Sequence, residues 1–199
     1  MEKQKPIRAR VIKHTGSHYL VSNLPDWNVI QCTVRGKLRL KGVRTTNPIA
    51  VGDFVDYEIQ EEGSGIITQI HPRTNYIIRK STNLSREAHI IAANIDLALI
   101  IVTLDLPQTP LAFIDRFLVT CEAYRVPVKI ILNKSDLYKD NHESVKSFKE
   151  LYNSAGYEVV EVSCITGENI EFLKQECKDR LTLLSGISGV GKSTLINTL

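Results

Sequence analysis

Two short runs carry the residues with the most specific chemistry in this sequence. Gly186-Ile187-Ser188-Gly189-Val190-Gly191-Lys192-Ser193 has the spacing G-x-x-x-x-G-K-[ST] of a phosphate-binding loop. Glycines at 186, 189 and 191 let the backbone wrap closely around phosphate oxygens with its N–H groups turned inward. Lys192 would reach the β- and γ-phosphates, the Ser193 hydroxyl would ligate Mg²⁺, and Thr194 continues the loop into a helix start. Lys192 and Ser193 are therefore the candidate catalytic residues, and Ser193 the candidate metal ligand. The bland alternative is a glycine-rich turn that merely caps a helix.

The other run, Asn133-Lys134-Ser135-Asp136, comes earlier in the chain and has the pattern N-K-x-D. It follows the apolar run Val128–Leu132, at the carboxyl end where open α/β sheets bind ligands. The Asp136 carboxylate can accept two hydrogen bonds from the guanine ring N–H and exocyclic amine, which adenine does not present. The Lys134 stem can lie over the base, and Asn133 can tie loops together. A third loop, Ser163-Cys164-Ile165-Thr166-Gly167, again follows a strand pattern and precedes a helical one. It resembles a loop of GTPases whose backbone amide contacts the guanine oxygen, with Cys164 in place of that loop's alanine; a Gly-containing turn with Thr166 near a helix cap is the competing reading. The rival is an adenine-specific phosphate-loop protein in which Asn133–Asp136 is accidental.

The elements that must position these loops read as βα alternation from Ile90 onward. Strands are expected at Leu97–Leu104, Val128–Leu132, Glu158–Ser163 and Leu181–Leu184, with helices at Leu111–Arg125, Glu143–Ser154 and Glu168–Lys178. Strands apolar throughout, alternating with amphipathic helices, imply a parallel sheet covered on both faces. Before it, residues 7–72 read as all-β: Arg8–Lys13, Tyr19–Ser22, Val29–Arg35, Phe54–Ile59 and Gly65–Ile70, separated by turn signals. Five short strands fit an OB-type barrel, and an SH3-like barrel satisfies the same pattern. The expected organisation is a barrel over residues 1–75, a linker over 76–89, and an α/β domain over 90–199.

Charge divides along the same line. Residues 1–80 carry 13 Lys and Arg against 7 Asp and Glu, a balance of +6; residues 81–199 carry 12 against 15, or −3, giving the net +3. A basic first half points to a polyanionic partner. Arg35, Lys37, Arg39 and Lys41 alternate with smaller or apolar residues, so an extended strand would put all four on one face, with Arg44 continuing the run. A solvated strand face is the competing reading. Trp27 and Tyr57 could stack on bases, but core packing is expected for both. Four scattered cysteines without a C-x-x-C pair imply reduced thiols, and His14 and His18 fall in strand and turn surroundings that do not suit a metal site. The longest apolar stretch is too short to span a bilayer and the charged start lacks a secretory block, so a cytoplasmic protein is expected.

With the β-rich start, Ala92–Asp96, Phe113–Leu118, Asn133–Asp136, Ser163–Gly167 and Gly186–Thr194 together, the sequence resembles the RsgA (YjeQ) family of small-ribosomal-subunit biogenesis GTPases. The phosphate loop follows N-K-x-D, an inverted order that in this family results from circular permutation of the G domain. The resemblance implies an OB-fold that contacts ribosomal RNA, a GTPase using GTP/GDP and Mg²⁺, the small ribosomal subunit as partner, and a monomer. It implies nucleotide contacts at Asn133, Lys134, Ser135, Asp136, Ser163, Cys164, Gly186, Ile187, Ser188, Gly189, Val190, Gly191, Lys192, Ser193 and Thr194. Family members continue past the phosphate loop to a D-x-x-G motif and a zinc-binding C-terminal domain, whereas this sequence stops at Leu199. A fragment or truncated product is thus expected, with weak nucleotide binding, scarcely any hydrolysis and poor solubility. The alternative function is a non-enzymatic RNA-binding module with a vestigial nucleotide domain.

Overall fold

The structure is a computed structural model and describes residues 6–23, 25–34, 49–60, 62–80 and 88–199. Arg35, Lys37, Arg39, Lys41 and Arg44 lie outside the described residues. The chain folds as two compact units, residues 1–94 and 95–199.

In the first unit, β1 (Ile7–Thr15), β2 (His18–Asn23), β3 (Asn28–Val34), β4 (Phe54–Ile59) and β5 (Gly65–Ile70) form a closed barrel in the order β1-β2-β3-β5-β4. All pairings are antiparallel except β3 with β5. That order is the OB-type arrangement, which decides between the two barrels the sequence allowed. Alternation drives it: Ala9, Val11, Tyr19, Val21, Cys32, Val55, Tyr57 and Ile67 turn inward and are buried together. Gly65 is required on β5, because a Cβ there would sit 2.5 Å from Cys32 Sγ and 2.9 Å from Tyr57 Cδ2. Trp27, expected in the core, is 66% exposed in the β2–β3 turn with a φ of 49°. A tight turn leaves no inward-facing position for its side chain, whereas Tyr57 sits mid-strand and is buried.

Both described ends of the segment expected as a linker are strands. Tyr76–Lys80 forms β6, paired antiparallel with β7 (Ala88–Ala93). Asn94 fastens this ribbon to the barrel. Its Oδ1 accepts from Thr74 N–H at 2.9 Å and its Nδ2 donates to the Gly52 carbonyl at 3.0 Å. Beside it Asp53, fully buried, accepts from Arg73 Nε and Nη2, each at 2.6 Å, and from Ala50 N–H at 2.8 Å. A bidentate guanidinium plus a backbone amide nearly saturates that carboxylate.

The second unit is a parallel four-stranded sheet ordered β10-β9-β8-β11, from β8 (Leu97–Val102), β9 (Val128–Asn133), β10 (Val159–Val162) and β11 (Thr182–Ser185). β8 is buried at every residue, as its unbroken apolar run requires. Successive residues face opposite layers. Ile100, Val102, Ile130 and Leu132 pack under α1 (Leu111–Ala123) and α2 (His142–Ser154) through Ile114, Leu118, Val145, Phe148 and Tyr152. Leu99, Ile101, Ile131 and Val162 pack on the other side under α3 (Ile170–Cys177) and α4 (Lys192–Thr198) through Leu173 and Leu195. The chain therefore winds outward from β8 over one face and returns to β11 over the other, a doubly wound sheet whose switch point lies between β8 and β11. Among the described residues no helix is long and apolar enough to cross a membrane.

Two outcomes follow for stability. Removing the Asp53 carboxylate takes away the bidentate partner of the buried Arg73 guanidinium, so Asp53→Ala should lower the unfolding free energy of the barrel unit by about 3–5 kcal/mol in urea titrations. The second concerns pH. Burial pushes the Cys32 thiol up to about 11 from an ordinary 9.0. Between those values the unfolded chain loses a proton that the folded chain keeps, so this contribution is whole below pH 9.0 and falls as pH rises toward about 11. Urea midpoints measured across that range should decline, and less steeply in Cys32→Ala.

Candidate functional site

Parallel strands end at a common edge, so four loops converge at the carboxyl side of the sheet: Thr103–Pro110 after β8, Lys134–Asp136 after β9, Ser163–Gly167 after β10, and Gly186–Gly191 after β11. Side chains bind these loops together. Asn133, 3% exposed, donates from Nδ2 to the Val190 carbonyl at 2.8 Å, joining the end of β9 to the loop after β11. Its Oδ1 is buried without a donor. Ser163 Oγ donates to Asp136 Oδ1 at 2.5 Å while accepting from the Ile165 and Thr166 N–H groups at 3.2 Å. Ser135 Oγ donates to Glu168 Oε2 at 2.6 Å. Lys134 has a left-handed φ of 62°, which turns the chain sharply into the short 3-10 turn Ser135–Tyr138. The Asp136 carboxylate is thus held by one oxygen and remains partly exposed.

The loop between β11 and α4 has the backbone its glycines allow. Gly189 and Gly191 have φ of 85° and 94°. A Cβ on Gly191 would lie 2.4 Å from Asn133 Nδ2, and one on Gly186 would lie 2.6 Å from the Ile101 carbonyl oxygen. The N–H groups of Gly189, Gly191 and Lys192 meet no backbone carbonyl among the described residues. Lys192 Nζ curls over the loop and donates to the carbonyls of Gly186 at 2.9 Å and Ile187 at 2.7 Å. Ser188, Ser193 and Thr194 are exposed, and Val190 is buried beneath the loop. Cys164 is half-buried against the α3 side of the sheet, so it occupies the place of a small residue without distorting its loop.

All of the residues expected from the two motifs and the third loop come to this edge. Sequence reasoning missed the loop after β8. Lys134 Nζ donates to the Leu106 carbonyl, Pro107 approaches the position a Gly189 Cβ would take to 3.2 Å, and Thr103 N–H donates to Thr109 Oγ1 at 3.0 Å. Tyr138 holds it from the other side, accepting from Leu104 N–H at 3.0 Å, and burial raises that phenol's pKa. The only sequence signal was Pro107 directly after an apolar strand. Glu168, which links two loops, carried no signal beyond its place after Gly167.

Such an edge offers N–H groups with no backbone carbonyl partner, an ammonium and a hydroxyl on one side of the switch point and a part-exposed carboxylate on the other. Comparison with known proteins gives the same arrangement a family. The RsgA GTPase family model matches residues 70–199, and the RsgA N-terminal domain model matches residues 9–67. A curated relative from Bacteroides fragilis, named small ribosomal subunit biogenesis GTPase RsgA, is 49% identical over 194 residues, covering 97% of this chain and 62% of the relative. One of the same name from Flavobacterium psychrophilum is 46% identical over 193 residues, covering 95% and 59%. Among solved structures, YjeQ from Thermotoga maritima superposes with a TM-score of 0.79 at 34% identity, covering 98% of this chain and 65% of that one. YloQ, described as a circularly permuted GTPase, gives a TM-score of 0.73 at 30% identity with the same coverages. The chain spans about three fifths of the length of these curated relatives. With both its barrel and its permuted α/β unit matched in order, the chain belongs to the RsgA GTPase family.

Proposed function

We propose that this chain binds a guanine nucleotide at the carboxyl edge of its sheet and serves as a GTPase in small-ribosomal-subunit biogenesis, with its barrel on ribosomal RNA. The observation that carries the nucleotide reading is the pair of bridges Asn133–Val190 and Ser163–Asp136, which hold a base-reading carboxylate and a phosphate cradle in one unit. Asp136 reads the guanine ring N–H and amine, with Oδ1 oriented by Ser163. The Lys134 stem covers the base, fixed at its far end by the Leu106 carbonyl. Ser135 and Cys164 shape the base pocket. Gly186, Ile187, Ser188, Gly189, Val190 and Gly191 present backbone to the phosphates, and Thr194 follows them into α4. Lys192, whose Nζ now rests on two loop carbonyls, exchanges one of them for a phosphate oxygen.

The donor set fits Mg²⁺ as a nucleotide-borne ion. Ser193 offers one exposed hydroxyl beside Lys192, and no cluster of three His, Cys, Asp or Glu gathers among the described residues. Phosphate oxygens and water would complete its shell, and when bound it neutralises charge on the transferring phosphoryl group. The polyanion reading of the barrel rests on the +6 balance of residues 1–80 and on Arg35, Lys37, Arg39, Lys41 and Arg44. A cytoplasmic monomer suits this role.

Fluorescent GDP and ADP titrations test the reading. GDP should bind at least tenfold tighter than ADP, and Asp136→Ala should weaken GDP by about 100-fold, since two guanine donors are left unpaired. Equal GDP and ADP affinities, or a GDP affinity unmoved by Asp136→Ala, would overturn it. Gly191→Ala provides an independent check. It forces a side chain into Asn133 at a φ of 94°, so GDP affinity should fall more than tenfold while urea unfolding of the barrel unit stays unchanged.

A further inference from the structure

The carboxylate assigned to the base is steadied by two serines, and both lead back to one residue. Ser163, fully buried, orients Asp136 Oδ1 with its hydroxyl, while its own N–H donates to the Glu168 carbonyl at 3.2 Å. Ser135 directly precedes Asp136 and is 7% exposed, and its Oγ donates to Glu168 Oε2 at 2.6 Å. Glu168 therefore holds the loop after β10 through its backbone and the loop after β9 through its side chain. Its own place is fixed from both neighbours. Gly167 N–H donates to the Ser163 carbonyl at 3.0 Å. Asn169, at a left-handed φ of 53°, donates from Nδ2 to the Glu161 carbonyl of β10 at 2.8 Å.

Three features go beyond an ordinary surface contact. The acceptor is a carboxylate, and a hydroxyl donating to a charged oxygen forms one of the stronger hydrogen bonds. The donor is buried, so loss of the acceptor leaves a hydroxyl unpaired directly beside the base-reading residue. The carboxylate is also not diverted to a cation of the edge. Lys134 Nζ donates to the Leu106 carbonyl, and Lys192 Nζ to those of Gly186 and Ile187. Hydrogen bonds weaken steeply as they bend, so a carboxylate reads two guanine donors only while its direction is held. Ser135 anchors the backbone from which Asp136 projects.

We infer that Glu168 is a positioning residue that sets guanine selectivity, acting through Ser135 on the direction of the Asp136 carboxylate. The inference rests on the reading of this edge as a guanine-nucleotide site. Its effect falls on the base, because the bonds of Glu168 run to the loops after β9 and β10.

The test compares GDP with IDP, whose base keeps the ring N–H but lacks the exocyclic amine, in competition with fluorescent GDP on the 199-residue chain. Glu168→Ala should weaken GDP about tenfold and IDP about twofold, contracting the GDP-to-IDP ratio about fivefold, as expected of a charge-assisted hydrogen bond made poorly. The loss is smaller than for Asp136→Ala because the reading carboxylate and its Ser163 bond remain. Glu168→Gln keeps an acceptor for Ser135 and should recover most of the ratio. Ser135→Ala removes the donor and leaves no orphan hydroxyl. It should contract the ratio as far as Glu168→Ala does, and the double variant no further. A purely structural link would weaken GDP and IDP equally, in step with a lower urea midpoint. That outcome, or a ratio unmoved by Ser135→Ala, would overturn the inference while leaving the guanine reading intact. GDP binding no tighter than ADP in the unmodified chain would overturn both.

Discussion

One side chain, Asn133, sets the geometry on which the nucleotide edge depends. It ends β9, yet its Nδ2 reaches the Val190 carbonyl at 2.8 Å in the loop that follows β11. β8 lies between those two strands, so the contact spans the sheet's switch point rather than a neighbouring pair. That reach is possible only because residue 191 has no side chain: a Cβ there would stand 2.4 Å from the same nitrogen. The glycine therefore has two separate jobs, a backbone at φ of 94° and room for a neighbour's amide. Gly186 differs, since it is pressed against the Ile101 carbonyl oxygen of β8 rather than against another loop.

Much of this was legible in the sequence because the signals were local. An unbroken apolar run gave β8, alternation gave the five barrel strands, and motif spacing gave three of the four loops at the edge. What escaped was set by distant partners. Tyr76-Ile77-Ile78 favours a strand by residue type, but three residues show no period, and what fixes Tyr76–Lys80 is its pairing with Ala88–Ala93 and the Asn94 contacts. The loop after β8 is placed by Tyr138 and Lys134, both more than 25 residues away in sequence. Trp27 was misplaced for the opposite reason. Residue type favours burial, but a turn with a φ of 49° decides where the side chain can go.

The inverted order of the two motifs is consistent with this geometry. A site at the carboxyl edge needs its strands adjacent in space, and the order β10-β9-β8-β11 supplies that whichever strand the chain visits first. Asn133 and Val190 are 57 residues apart, yet they meet because α3 returns the chain across the second face to β11. Helices on both faces make that return possible without crossing a connection. Permutation changes which loop is long. It leaves the set of strand ends untouched.

Buried polar atoms in this fold differ in whether the fold itself supplies their partners. Asp53 is fully buried and still accepts three hydrogen bonds, so its role is to close the barrel onto Arg73 and Ala50. Tyr152, buried on the sheet-facing side of α2, donates to Asp115 at 3.0 Å. In contrast Ser22 Oγ, Asn23 Oδ1, Asn133 Oδ1 and Thr182 Oγ1 are among the buried atoms with no hydrogen-bond partner. An orphaned acceptor or hydroxyl costs about 1–3 kcal/mol, which a fold under selection for stability alone would remove with a single apolar substitution. Asn133 Oδ1 falls at the nucleotide edge, whereas Thr182 Oγ1 sits on β11 beside Cys177 of α3, so an orphaned atom does not by itself mark a ligand site. What sets Asn133 apart is its place between two loops, where its Nδ2 is committed to the Val190 carbonyl and its Oδ1 is left for a donor from outside the fold.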